Sequence, residues 1–369
     1  MTTSVLNVTR AVILGLAFCA SANLIADTHS PSTAQSTLSA AASFEQGHTL
    51  ISQNNLVEGM RLLKEAADLG NPSAAFEMGS LYEAGLGVKQ NYAQAKAYYE
   101  AAIRHGHRNA HFNLALMLNN ELVPFSDLQQ SRELMEVVAK QGDIEAQYVL
   151  ATLMESTLRD VAPQLDKSIY WLGSAADKGH GKAQFMLGMH YLKGQNVVRN
   201  PTTAFNLFNK AAQKGVAGAQ FNLALMHEKG DGTAANLDLA VRWYESAARL
   251  GNANAQQNLG IKYLLGEEIA ANTPKALDLI GRAAHSGLRN SQLLLGQLYQ
   301  SGYEDKVGVD LSKAEHWYLR AAKQGQPDAQ YQLSLILLDK ASNDHSAKFW
   351  AEQAAAAGHQ DAIKLITSL

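Results

Sequence analysis

The sequence predicts an all-α fold. It is expected to form an α-solenoid, a right-handed superhelix of about eight helix-turn-helix repeats of about 36 residues. A shorter helix pair precedes the array and a capping helix follows it. Three observations carry this prediction. Glycines recur at Gly70, Gly106, Gly142, Gly179, Gly215, Gly251, Gly287, Gly325 and Gly358, at spacings of 33 to 38 residues. Eleven residues before each stands a small residue: Gly59, Ala95, Ser131, Ser168, Ala204, Ala240, Ala276, Ala314 and Ala347. Eight residues before four of them stand all four tryptophans, Trp171, Trp243, Trp317 and Trp350, with Tyr98 in the same slot of its unit. A cofactor-binding aromatic box would not recur once per unit, so these rings are assigned to packing.

The chain opens on a targeting segment, residues 1–22. Arg10 is followed by an apolar run from Ala11 to Ala20, and Ala20-Ser21-Ala22 supplies a small-x-small cleavage pattern. Cleavage is expected after Ala22. The run is too short to span a bilayer, which needs about 20 apolar residues. Bulky Phe18 before Cys19 argues against lipoprotein anchoring through that cysteine. Residues 23–40, rich in Ser and Thr, are expected to be a flexible leader. Residues 41–73 form the short opening pair, with helices near 41–53 and 56–69. The repeat array runs over 74–361, and 362–369 begins another first helix that caps it.

Within each full unit the second helix opens four residues before its small position. There stand Asn91, Asp127, Gln164, Asn200, Asn236, Asn272, Asp310 and Asn343, nearly all good N-caps. Pro201 directly after Asn200 suits a first helical position, and the repeat glycine closes the helix. The first helix carries its own small series, Ala74, Ala110, Ala146, Ala183, Ala219, Ala255, Ser291 and Ala329. Counted from that residue, offset four is Leu or Met, offset five is Gly, Ala or Ser, and offset eight is most often Tyr. Offsets zero, four, five and eight fall on one helical face, the expected core stripe. One unit cannot bury both of its apolar faces, and stacked neighbours do.

The segments Ala183–Gly215 and Ala219–Gly251 resemble the Sel-one-like repeat family, a subclass of the tetratricopeptide-like solenoids. Gly85-Leu86-Gly87-Val88 is similar to the family's inter-helix turn. The resemblance spans about 41–369 and implies fold more than activity. Turn glycines stand at Gly85, Gly194, Gly230, Gly266 and Gly302, but Glu121, Thr157 and Lys340 replace them elsewhere, with Pro124 and Pro163 in two of those turns. Those turns are expected to pack less regularly or to mark a contact edge. Some secreted members of the family are cysteine-rich and reported to bind penicillin. With a single cysteine, this chain does not inherit that expectation.

Reaction chemistry is not visible. The sequence lacks a G-x-x-x-x-G-K-[ST] loop, a G-x-S-x-G elbow, an S-x-x-K and an H-E-x-x-H. Glu267-Glu268 falls in an inter-helix turn, where solvated charge is expected. His105, His107 and His111 are the one histidine cluster weighed as metal ligands, and no carboxylate or cysteine completes a motif there. No metal and no cofactor is therefore assigned. Lys plus Arg total 31 against 34 for Asp plus Glu, a net charge of −3, so no global field favours nucleic acid, although a local patch is compatible with that balance. The recurring Gln147, Gln184, Gln220, Gln256, Gln292 and Gln330 are assigned to inter-repeat hydrogen bonding.

The expected function is that of a periplasmic or secreted protein-interaction scaffold or adaptor without catalysis, acting as a monomer on protein partners. It has no stable membrane span after signal cleavage. The resemblance adds envelope assembly, polysaccharide export, signalling and host interaction as open settings. The alternative is a cell-wall-fragment or β-lactam binder, or an enzyme, on the same fold. Related solenoids line their concave surface with first helices. Offsets six and nine then turn toward that surface, where Met189, Leu192, Leu225, Ile261 and Leu264 are apolar in three successive units. They are the candidate protein-binding residues. The competing expectation is that stacking buries them between neighbouring first helices.

Overall fold

Second helices begin where the capping pattern places them. In the computed structural model, which describes residues 31–156, 161–266, 268–304, 306–340 and 344–367, the side chain of Asn91 accepts the backbone N–H of Gln94 at 3.1 Å. Asp127, Asn200, Asn236, Asn272 and Asp310 do the same three residues ahead, at 2.9–3.0 Å. Each cap satisfies one of the orphan donors of a helix start. Gln164 is the exception, its buried Oε1 having no partner. The signal segment, Cys19, the first part of the leader, Thr157, Glu267 and Asn343 lie outside the described residues.

The fold is an all-α helical-repeat solenoid. Nineteen helices are present among the described residues, and no strand beyond one isolated bridge between Tyr303 and Val307. Two compact units divide at Ala175–Ala176. The first contains α1 (Pro31–Ser52), α2 (Leu56–Asp68), α3 (Pro72–Ala84), α4 (Tyr92–Arg104), α5 (Arg108–Leu118), α6 (Leu128–Lys140), α7 (Ile144–Glu155) and most of α8 (Leu165–Asp177). The second contains α9 (Gly181–Lys193), α10 (Pro201–Gln213), α11 (Ala217–Lys229), α12 (Leu237–Arg249), α13 (Ala253–Leu265), α14 (Thr273–His285), α15 (Arg289–Ser301), α16 (Leu311–Ala322), α17 (Pro327–Asp339), α18 (Asp344–Ala356) and α19 (Gln360–Ile366). Odd-numbered helices are the first of each pair and even-numbered helices the second.

The opening pair departs from expectation. α1 starts at Pro31, inside the segment expected to be a flexible leader through residue 40, and its 22 residues make it longer than the 13 typical here. Proline at the first helical position fixes the starting φ. Beyond it no glycine or proline interrupts the run until Gly47, so the Ser/Thr-rich stretch propagates as helix.

Both small series face the core. Ala74, Ala110, Ala183, Ala219, Ala255 and Ser291 on first helices are fully buried, as are Ala95, Ser131, Ala204, Ala276 and Ala314 on second helices. Trp171 and Trp317 are buried, Trp243 packs between two core clusters, and Tyr98 stacks on Tyr82 at 5.6 Å. Helix ends follow the glycines. Gly85 closes α3 at φ 71° and ψ 33°, its N–H bonded to the carbonyl of Leu81, a left-handed cap that a side chain would strain.

Where that glycine is missing, other side chains do its work. After α5 the turn folds around Val123, which is fully buried. After α7 the buried guanidinium of Arg132, on α6, donates to the carbonyls of Leu153 (3.0 Å), Met154 (3.4 Å), Ser156 (3.0 Å) and Ala162 (3.2 Å). A cation at the C-terminal end of α7 also complements the helix dipole. Burial depresses the pKa of this guanidinium from its ordinary value.

Candidate functional site

The first helices of the second unit carry the expected site, and its geometry follows from what each position meets on the second helix. Offset five must be small because a large side chain rests on it. A Cβ built on Gly188 would lie 2.7 Å from the ring of Phe208, and one on Gly260 2.7 Å from Ile280. These partners occupy a fully buried slot seven residues before each repeat glycine.

Offset nine answers the same slot. The hydroxyl of Tyr244 donates to Glu228 Oε2 at 2.6 Å, and that of Tyr318 to Gln300 Oε1 at 2.5 Å. Where the slot is Phe208 or Ile280, offset nine is instead Leu192 or Leu264. Leu192 packs against the cluster that holds Phe208, and Leu264 is buried in the cluster that holds Ile280. The two leucines expected in an open groove therefore meet apolar partners that lack a hydroxyl. Leu264, 6 % exposed, is core and is withdrawn from the site. Leu192 is half-buried and packs against the same cluster as Met189.

The other three candidates share one offset. Met189, Leu225 and Ile261, at offset six of α9, α11 and α13, are half-buried. Met189 and Leu225 lean on the clusters below them. Beside this row lies a partly buried charge network. Lys262 Nζ reaches Glu228 Oε1 at 2.6 Å and Glu268 Oε2 at 2.5 Å. Burial opposes the charge on Glu228, but the bonds from Lys262 and Tyr244 outweigh it and hold its carboxyl below the ordinary range. Burial likewise opposes the charge on Lys262, and its two carboxylates raise its pKa instead. Glu268 is thus an ion-pair partner rather than free solvated charge.

The glutamine series is structural, as expected. Gln184, Gln220, Gln256, Gln292 and Gln330 each donate Nε2 to the carbonyl eight residues back, at 2.9–3.2 Å, tying a first helix to the end of the preceding second helix. Sequence reasoning missed two histidine caps. His180 Nδ1 accepts the N–H of Ala183 and His359 Nδ1 that of Ala362. Their signal was position, since they stand where Asn71, Asp143 and Asn252 cap other first helices. His107 stacks on Phe76 at 4.3 Å, and burial lowers its pKa. No group of three His, Cys, Asp or Glu side chains suited to a metal ion is found among the described residues.

A family model for the Sel1 repeat matches nine consecutive segments: 37–71, 72–107, 108–143, 144–180, 181–216, 217–252, 253–288, 290–326 and 327–359. The chain belongs to the Sel1 repeat family. The segment 37–71 is the opening pair, so it counts as a repeat in its own right. Two solved Sel1-like structures are similar along most of this chain. A Sel1 repeat protein from Oxalobacter formigenes is 26 % identical, with a TM-score of 0.73, covering 88 % of this chain and 99 % of that one. A protective antigen of uropathogenic Escherichia coli is 28 % identical, with a TM-score of 0.69, covering 92 % of this chain and 74 % of that one. No curated protein sequence matches. Sel1 repeats generally mediate protein interactions. No helix among the described residues is long and apolar enough to cross a membrane.

Proposed function

We propose that this Sel1 repeat protein is a non-catalytic interaction scaffold of the periplasm or the secreted fraction. It would bind a protein partner across the first helices of its second unit. The observation that carries the reading is the row of Met189, Leu225 and Ile261, half-buried on three successive first helices. Apolar side chains at a constant offset offer evenly placed anchors to a helix or an extended segment. Support for the compartment comes from the apolar run of residues 11–20 and the Ala20-Ser21-Ala22 pattern after it.

The test places a photo-crosslinking residue at Leu225, at Ile261, or at Arg242 on a second helix of the same unit. Crosslinks to one envelope protein from the first two sites and not from Arg242 are expected. Leu225→Asp with Ile261→Asp should abolish them in a protein that still melts cooperatively, though at a lower temperature because Leu225 leans on the core. Crosslinking from all three sites alike would overturn the assignment. Specific uptake of labelled muropeptide or penicillin would replace it with ligand binding.

A further inference from the structure

Charge in the second unit is unevenly placed along the chain. Between Asp177 and Glu228 there are six Lys or Arg and no Asp or Glu. Two of these cations, with three more farther along, lie on one edge, where each second helix turns into the next first helix. The turn segments 210–217, 246–254 and 282–290 hold Lys210, Lys214, Arg249, Arg282 and Arg289, with no acidic residue in any of them. All five side chains are exposed.

The turns lie next to one another. Lys214 reaches the carbonyl of Gly179 in the preceding turn, and a Cβ built on Gly181 would meet Lys214 at 3.3 Å. Arg282 Nη2 reaches the carbonyl of Ala248 at 3.3 Å. Farther on, Gln324 Nε2 bonds Gln292 Oε1 at 2.7 Å, so the edge continues as a row. Cations near helix C-termini are favoured by the helix dipole, which suits Lys210, Arg249 and Arg282 in the last turns of their helices and Lys214 just beyond one. It does not account for Arg289 at the start of α15. Arg282 pairs with Asp278 at 3.8 Å, whereas Lys210, Arg249 and Arg289 make no ion pair among the described residues. Apolar side chains alternate with these charges. Leu250 is 53 % exposed, and Val216 and Leu288 are half-buried in the equivalent turns.

We propose that this edge docks an acidic polypeptide segment with apolar residues spaced among its carboxylates. A one-dimensional row of cations fits a linear polyanion better than a bilayer surface. A polysaccharide or nucleic acid backbone would leave Leu250 without an apolar counterpart, and no exposed Trp, Tyr or Phe lies in these turns for stacking bases. The edge names the chemistry of a partner within the scaffold reading, and rests on it.

The test uses the full chain and a fluorescent peptide of about twenty residues, Glu with Leu at every fourth position. Binding is expected and should weaken as salt shortens the screening length below the ~10 Å of 0.1 M. Lys210→Glu with Arg249→Glu should weaken it at least about fivefold, and Lys210→Gln with Arg249→Gln by less. Lys193→Glu with Lys229→Glu, an equal charge change at the opposite turns, should leave affinity within about twofold. Equal losses in the two Glu variants would reduce the effect to net charge and overturn the proposal. So would equally tight binding of an all-Glu peptide, oligo(dT), polygalacturonate or phosphatidylglycerol vesicles. Loss of the peptide in Leu225→Asp with Ile261→Asp would move it to the first-helix face and overturn the edge alone. Peptide binding without crosslinks at Leu225 and Ile261 would overturn that face and leave the edge standing.

Discussion

The ring of Tyr318 rests directly on Gly296: a Cβ built there would come within 2.5 Å of Cδ1 and Cε1. Gly79 and Tyr99 repeat the relationship at 2.7 Å in the first unit. The fifth offset is thus the seat of a side chain on the paired helix, and its smallness is a packing requirement. Alanine stands at this offset opposite Met135 and Leu172, and also at Ala224, which shares a core cluster with Tyr244. A methyl can therefore be absorbed, whereas a β-branched side chain cannot fit under the Tyr318 ring without moving a helix. Gly296→Val is expected to lower unfolding stability by at least about 2 kcal/mol. Adding Tyr318→Leu should recover part of that, with a favourable coupling of about 1 kcal/mol in a double-mutant cycle. Urea unfolding of the four proteins measures it, and additivity would mean the two side chains do not meet.

The tyrosine contacts at offset nine make a second prediction. Phe208→Tyr should cost about 1–3 kcal/mol, because its hydroxyl would point at Leu192 with no acceptor. Leu192→Gln in the same chain should restore most of it, as Gln300 accepts from Tyr318. A melting temperature unaffected by Phe208→Tyr would mean that water reaches the slot.

These pairs also show what was legible in the sequence. Caps, closing glycines and the two small series were legible because each is fixed by local backbone geometry or by helical periodicity. Asn236 marks its helix start without reference to anything distant. The burial of Leu264 was less legible because it depends on a partner sixteen residues away on the paired helix. The available signal was joint: Glu83 with Tyr99 and Glu228 with Tyr244 share that separation, as do Leu192 with Phe208 and Leu264 with Ile280. Arg132 was illegible for a different reason. Its role is defined by carbonyls of a neighbouring helix end that carries no distinctive residue. The start of α1 was less legible because Ser and Thr are as common in linkers as at helix starts, and Pro31 alone marks the first turn.

The two tyrosine–carboxylate pairs should respond to pH in opposite directions. Glu83 accepts from Tyr99 at 2.6 Å, and burial raises its pKa above the ordinary 4.5, with the Tyr99 bond opposing. A carboxyl raised in the folded state binds protons more tightly there than when unfolded, so its contribution is full below pH 4.5 and is lost as pH rises through the raised value. Glu228 is buried too, but Lys262 and Tyr244 pull its pKa below 4.5. Its contribution is present above pH 4.5 and is lost as pH falls through the lowered value. Gln300 beneath Tyr318 shows that an amide oxygen can serve as the acceptor, so Gln substitution removes the charge and keeps the bond. Glu83→Gln should therefore stabilise the protein near about pH 7 and lose that advantage in acid. Glu228→Gln should destabilise it near about pH 7, where Lys262 keeps only Glu268, and matter little in acid. Thermal melts of both variants and the parent across this range give the comparison. Parallel pH profiles for the two variants would show that burial and the Lys262 pair do not set these carboxyls apart.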